Sequence, residues 1–161
     1  MSRLNAVGEQ RKFWGVLPVL PGAELLEAAR QYEALGLEGL FSIQVYGPPF
    51  IPLAAAGAAT ERLKIATGIA IAATRSPMET AMAAMDMDRI TDGRFILGLG
   101  SSASVWTTGL FGTPHIKPIA HMRDTVAAVR HIIANAHKDI QPWEGEYFKA
   151  DFQSLPPTAP P

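Results

Sequence analysis

The chain has 161 residues, no cysteine, 48% apolar residues and a formal net charge of −1. That is room for one ordinary domain with a real core. The charge balance gives no electrostatic case for nucleic acid or an anionic membrane, and the missing cysteines exclude a disulfide framework and any thiolate metal site. Residues 1–12 carry charges but no apolar core and do not read as a secretory signal. Two uncharged stretches, 39–60 and 95–114, are long enough to span a bilayer, but glycine and proline interrupt both. They read as interior segments, no membrane partner is expected, and the expected compartment is the cytoplasm.

In chain order, 13–19 is a short apolar run ended by Pro18 and Pro21-Gly22, and predicts a first strand. Residues 23–35 predict a helix, with Leu25, Leu26, Ala29, Tyr32 and Leu35 at helical spacing and Glu24, Glu27, Arg30 and Glu33 on the polar side. Gly36 is its stop. Residues 37–44 read as strand two, Pro48-Pro49 as a break, and 51–60 as an alanine-rich helix. Strand three, 63–71, lacks full alternation, which suggests burial on both faces. Ser76-Pro77-Met78-Glu79 is a capping box that starts a third helix, with Met78, Ala81, Met82 and Met85 as its apolar stripe and Asp92-Gly93 as its stop. Strand four follows at 94–100 and a loop at 103–118. A long helix at 119–136 places Ile119, Met122, Val126, Val129 and Ile133 on one face. An arm and tail occupy 143–161, with a hairpin suggested at 146–150 and a proline-rich end.

This alternation implies an α/β fold with a parallel sheet and right-handed crossovers, as an open doubly wound sheet or as a β/α barrel. Gly98-Leu99-Gly100-Ser101-Ser102-Ala103 fits the degenerate dinucleotide fingerprint G-x-G-x-x-A. That fingerprint needs a helix opening directly after it to meet a pyrophosphate, and none is predicted after Ala103. Asp124, at the spacing of a ribose-binding carboxylate, falls inside a predicted helix. In a barrel, Gly98 and Gly100 instead stand at the C-terminal end of a strand, where glycine admits a flat ligand or another backbone. Ser101 and Ser102 then offer hydroxyls and N–H groups. Barrel packing plus a turn explains the same residues without a ligand.

Other candidates are sparse. His115, His121, His131 and His137 show no metal-site spacing, and His131 falls on the polar side of its helix. Asp86, Asp88 and Arg89 read as a solvated face with i,i+3 pairing. The methionines read as core, and Trp106 and Phe111 as loop aromatics that either pack on the barrel or roof a site.

The segment TERLKIATGIAIAATRSPMETAMAAMDMDRITDGRFILGLGSS, 60–102, resembles the luciferase-like monooxygenase superfamily, and most closely its branch dependent on the deazaflavin coenzyme F420. The matching features are T-x-R-[LI] before strand three, the glycine within that strand, R-x-P at the start of the third helix, and D-R-[IL]-[TS]-x-G-R before an L-G-x-G strand. FSIQVYGPPFIPLAAAGAAT, 41–60, and WEGEYF, 143–148, are similar to further segments of that branch. The resemblance implies a (β/α)8 barrel of TIM type with coenzyme F420, or alternatively FMN, at the C-terminal strand ends. It implies a bulge in strand three with a non-prolyl cis bond at Gly68-Ile69, a ring face lined by residues 70–72 beginning with Ala70, and cofactor hydrogen bonds from Gly100, Ser101 and Ser102.

Departures matter too. Relatives that oxidise alcohols or sugar phosphates carry Asp-His at the end of strand two, where this chain has Gln44-Val45, and some carry a glutamate where this chain has Ala103. Gln44 can hydrogen-bond a cofactor but cannot shuttle a proton, and nearby Tyr46 has an ordinary pKa of about 10. The expectation is therefore flavin- or deazaflavin-dependent hydride chemistry on a small organic substrate activated by binding and orientation. A full barrel of this type takes about 250 residues. The chain accounts for about four β/α units, an N-terminal half barrel with two open edges and an uncovered apolar face. That predicts a homo-oligomer or a missing C-terminal half. A non-catalytic remnant that serves only as an assembly partner is the alternative to an oxidoreductase.

Overall fold

The computed structural model describes residues 11–45 and 47–152; residues 1–10, Tyr46 and the proline-rich end at 153–161 lie outside the described residues. Strand β1 (Trp14–Val16), helix α1 (Gly22–Ala34), β2 (Gly39–Ser42) and α2 (Phe50–Ala58) come first. Then follow β3 (Lys64–Thr67), β4 (Ala70–Ile71), α3 (Pro77–Ile90), β5 (Phe95–Ile96) and β6 (Leu99–Gly100). Helix α4 (Pro118–Asn135) leads to an antiparallel hairpin of β7 (Trp143–Glu144) and β8 (Lys149–Ala150).

The main sheet runs β1-β2-β3-β5, every pair parallel, and β4 pairs with β6 beyond it. Each strand lies beside its predecessor. A doubly wound sheet reverses its order at a switch point; no reversal occurs among the described strands, so the glycine-rich β6 exit is not a dinucleotide switch point. The order is that of a β/α sheet curling in one direction.

Register defines the two faces. Leu40, Ile65 and Phe95 form one cross-strand row, and Leu40 and Ile65 are fully buried against Leu25, Ala29, Leu53, Ala56 and Met87 of the helices. The adjacent row is Val16, Phe41, Ala66 and Ile96, on the face turned away from the helices. Its ends are open: Val16 is 50% and Ile96 45% exposed. A second core joins α3 to α4 and the arm through Ala81, Val129, Ile132, Ala136, Ile140 and Phe152.

Local punctuation follows the sequence closely. Gly36, at φ 77°, donates to Glu33 O, and Leu37 donates to Tyr32 O; this pair of bonds closes α1 in the left-handed turn that glycine adopts without a Cβ penalty. Ser76 Oγ accepts the Glu79 N–H at 3.0 Å with Pro77 first in α3, as the capping box requires. Arg94, the last residue of the D-R-I-T-D-G-R run, sends its guanidinium to Gly57 O, Thr60 O and Leu63 O at 2.8–3.0 Å. It thereby ties the end of α2 to the turn that leads into β3.

Strands three and four are each interrupted, strand three at the bulge that the resemblance implies. Ala66 pairs with Ile96 but Ala70 pairs with Leu99, so three residues, 67–69, oppose two, 97 and 98. This is a one-residue bulge. Thr67 Oγ1 spans the gap, donating to Gly98 O and accepting the Gly98 N–H, both at 2.8 Å. The region 103–118 is not wholly loop. A wide helical turn, Val105–Leu110, follows Ala103 and ends with Phe111 N–H donating to Trp106 O. Its glycine and the lack of a capping side chain hid it. On α4 the buried residues are Thr125, Ala128, Val129 and Ile132, while Ile119 and Ile133 are exposed. On α3 they include Thr80, Ala81, Ala84 and Met87, while Met82 is exposed. On both helices the expected stripe overlaps the buried side, through Met78, Ala81 and Met85 on α3 and Val129 on α4, and small residues that permit the close α3–α4 approach complete it.

Candidate active site

The C-terminal ends of β2, β4 and β6 meet at one rim, and small residues make the meeting possible. Gly68 N–H donates to Ser42 O at 2.8 Å, and a Cβ on Gly68 would lie 2.6 Å from the Phe41 ring. A Cβ on Gly98 would strike the Thr67 carbonyl oxygen. A Cβ on Gly100 would lie 2.9 Å from the Ile69 side chain. The Gly68-Ile69 bond is cis, at the position that the resemblance implies.

The predicted site residues Gln44, Gly68, Ile69, Ala70 and Gly100 are contiguous. Gln44 N–H donates to Ile69 O at 3.3 Å, Ala70 N–H donates to Gly98 O at 2.8 Å, and Gly100 pairs with Ile71. Ala70 and its successors Ile71 and Ala72 are buried within the wall, whereas Gly68 and Ile69 are half-buried at its surface. Ser101 is half-buried and Ser102 exposed at φ 56°; neither hydroxyl has a partner among the described residues. The rim therefore joins a patch of small side chains to two unspent hydroxyls.

Behind the rim Gln44 is the centre of a polar group whose other members were not expected as site residues. Gln44, 9% exposed, accepts from Ile71 N–H and Arg75 Nη1 with Oε1, each at 3.0 Å, and donates from Nε2 to Thr74 Oγ1 at 3.0 Å. Thr74 Oγ1 donates onward to Ile71 O at 2.9 Å. The Arg75 side chain is 12% exposed, lies 5.1 Å over the Phe50 ring and approaches Glu79 at 4.0 Å. Burial lowers its pKa, opposed by the Glu79 charge, and it remains a cation at any ordinary pH. The R-x-P pattern was the only sequence sign of Arg75. Thr67 and Thr74 had none: Thr67 bonds only backbone groups, and Thr74 bonds Ile71 O and a side chain 30 positions away.

The histidines lie elsewhere. His131 Nε2 meets Gln141 O at 2.8 Å, with its ring near Trp143, so it packs rather than faces solvent as expected. His121 stands edge-on to Tyr147, and burial lowers its pKa against the raising effect of Asp124. Asp86 and Arg89 form the expected exposed pair, at 2.9 Å. Among the described residues no three potential ligands cluster as for a metal, and no helix is long and apolar enough to cross a membrane.

Comparison with known proteins agrees with this architecture. A family model described as luciferase-like monooxygenase matches residues 9–161. A Mycobacterium tuberculosis protein, provisionally named a coenzyme F420-dependent oxidoreductase, is 35% identical over 129 residues, which are 80% of this chain and 36% of that protein. The coenzyme F420-dependent tetrahydromethanopterin reductase of Methanopyrus kandleri superposes with a TM-score of 0.74 at 21% identity, over 88% of this chain and 45% of that one. The oxygenating constituent of 3,6-diketocamphane monooxygenase from Pseudomonas putida, solved with FMN, gives 0.70 at 17% identity, over 86% and 44%. The chain thus spans less than half the length of each.

Proposed function

Because the chain belongs to the luciferase-like monooxygenase family, we propose that it is a cytoplasmic oxidoreductase whose wall of Gly68, Ile69 and Gly100–Ser102 holds the flat ring of coenzyme F420. The carrying observation is the wall itself. It presents half-buried small residues on one side and the unpartnered Ser101 and Ser102 hydroxyls at its end. Such a surface fits a planar, polar-edged ring: the glycines leave room for a face, and the hydroxyls can bond its edge or side chain. When bound, the deazaflavin would exchange a hydride with a small organic substrate. The chain's own residues bind, orient and exclude water. The Asp-His pair of some relatives falls on Gln44-Val45, so Val45 stands where their histidine is, and neither side chain moves a proton at neutral pH.

The F420 reading is supported by the name of the M. tuberculosis relative and by the SIQVYGPPF and GIAIAATRSP segments. The FMN-bound neighbour favours the second reading, an FMN-dependent monooxygenase using the same rim. In either case the face bearing Val16 and Ile96 is closed by further strands, supplied by a longer chain or by a second copy.

The test is fluorescence titration of the purified chain with F420 and with FMN, each in oxidised and reduced form, up to tens of micromolar. Saturable F420 binding, stronger than that of FMN, is expected. Gly100→Val pushes Ile69 off the wall and weakens binding about tenfold or more, equivalent to about 1.4 kcal/mol. No binding of any form would identify a non-catalytic assembly partner instead. Unchanged affinity in Gly100→Val would make the β6 exit purely structural.

A further inference from the structure

We infer that Gln44 and Arg75 form a polar clamp on the Ile69–Ile71 segment, so that Gln44 acts as a positioning residue for the ring-bearing wall. The inference rests on the cofactor reading above for its purpose, though not for its existence. Three hydrogen bonds end on this segment, and a fourth joins two of the groups that make them. The Gln44 N–H holds Ile69 O, and Gln44 Oε1 holds the Ile71 N–H. Through Thr74 the Gln44 amide also reaches Ile71 O. Both polar groups of the Ile71 peptide unit are thus tied to one side chain from a different β/α unit. Ile71 is the residue paired with Gly100, so the clamp sets where β4 stands relative to the β6 exit.

The chemistry of the amide explains the residue. Both lone pairs of Oε1 are spent, on Ile71 N–H and on Arg75 Nη1, while the NH2 end supplies a donor to Thr74. Two donors facing Oε1 fix which end of the amide points inward. Arg75 is held in turn by its stack on Phe50, and its 3.0 Å acceptor is this neutral amide; the Glu79 carboxylate is more distant, at 4.0 Å. A carboxylate at position 44 would keep both acceptor contacts. An apolar side chain of the same size would keep neither, leaving a buried N–H and a buried guanidinium short of an acceptor.

Hydrogen exchange on the free chain tests the clamp without any cofactor. In Gln44→Leu, exchange across 69–74 should rise at least tenfold while 22–34, in α1, keeps its protection. Gln44→Glu should restore the protection. In parallel, Gln44→Leu should weaken F420 or FMN binding and shift the visible band of the bound ring, and Gln44→Glu should return both toward the wild-type values. Unchanged exchange at 69–74 in Gln44→Leu overturns the clamp. Lost protection with unchanged affinity and spectrum overturns the positioning role. Failure of the wild-type chain to bind either ring overturns the cofactor reading, and with it the positioning role, while the exchange result still decides whether the clamp exists. If Gln44→Leu also deprotects 22–34, Thr74→Val, which removes a single link, carries the same expectation with smaller amplitude.

Discussion

Glu33 stands near the end of α1, and its Oε1 accepts the backbone N–H groups of Glu61, Arg62 and Leu63 at 3.0, 2.6 and 3.1 Å. The turn into β3 is therefore built on a side chain from another β/α unit. Burial works to raise the pKa of this carboxyl, but the three N–H bonds and the Arg62 charge outweigh it, and the group titrates below its ordinary 4.5. A carboxyl depressed by folding stabilises the native state above its unfolded pKa, and that stability is lost as the pH falls through the folded value. Wild type should therefore exceed Glu33→Gln in urea midpoint at neutral pH, and the gap should narrow as the pH drops below about 4.5. A gap independent of pH would mean that the charge is irrelevant. Glu38, bonded to Lys64 and Lys12, is shifted in the same direction, but both lysines are exposed to solvent, so these bonds add little. At this scale the sequence was least informative. Glu33 read as one of four polar residues on a helix, because its partners lie about 30 positions away and are backbone atoms.

Among the elements, the arm shows what a single carboxylate can organise. Asp124 Oδ1 accepts from Trp143 Nε1 at 3.1 Å, and Oδ2 accepts the N–H groups of Tyr147 and Phe148 at 2.6 and 3.1 Å. Gly145 lies so close to this carboxylate that any Cβ would collide with it. The W-x-G-x-x-F pattern is thus the imprint of α4 on the hairpin. The tryptophan supplies a donor and the glycine leaves space. Asp124→Ala should cost the arm about 2 kcal/mol of local stability. That would appear as faster hydrogen exchange at 143–150 with little change in the β1–β3 region; unaltered exchange there would show that Phe152 packing suffices to dock the arm. Asp124 lies inside α4, as its predicted helix requires, and both of its oxygens are taken up by the arm. Helix ends marked by caps, such as Ser76 and Gly36, were legible because the signal is local. The buried sides of α3 and α4 were legible only in part, since Thr125 and Ala128 are chosen for how near the two helices come.

For the whole molecule, the parallel sheet followed from alternation, but the order of strands did not, because alternation left a doubly wound sheet and a barrel both open. Nor could alternation supply which side chains stand on the face turned away from the helices; the row Val16, Phe41, Ala66 and Ile96 appears only once register is known. Its exposed ends, together with the edges of β1 and β5 that are unpaired among the described residues, predict that the 161-residue chain self-associates on its own. Sedimentation at several concentrations should find species larger than a monomer. Val16→Lys combined with Ile96→Lys should shift the population to monomer without loss of helix content. A wild-type monomer of ordinary stability would show that this face needs no cover.

The bulge at 67–69 has a consequence for altering this wall. Side chains alternate along a strand, so one extra residue transfers everything after it to the opposite face. Ala66 belongs to the face away from the helices, and because of the added residue Ala70 packs with Leu99 on the helix side. Deleting Gly68 would leave Ala70 three residues after Ala66 in an unbroken strand, which keeps Ala70 on the helix side but removes the extra residue from the wall. Side-chain changes along this wall alter its chemistry one position at a time, whereas that change in its length removes the bulge itself. In redesign, the residue count between Ala66 and Ala70 is the quantity to conserve, ahead of the identity of any one residue there.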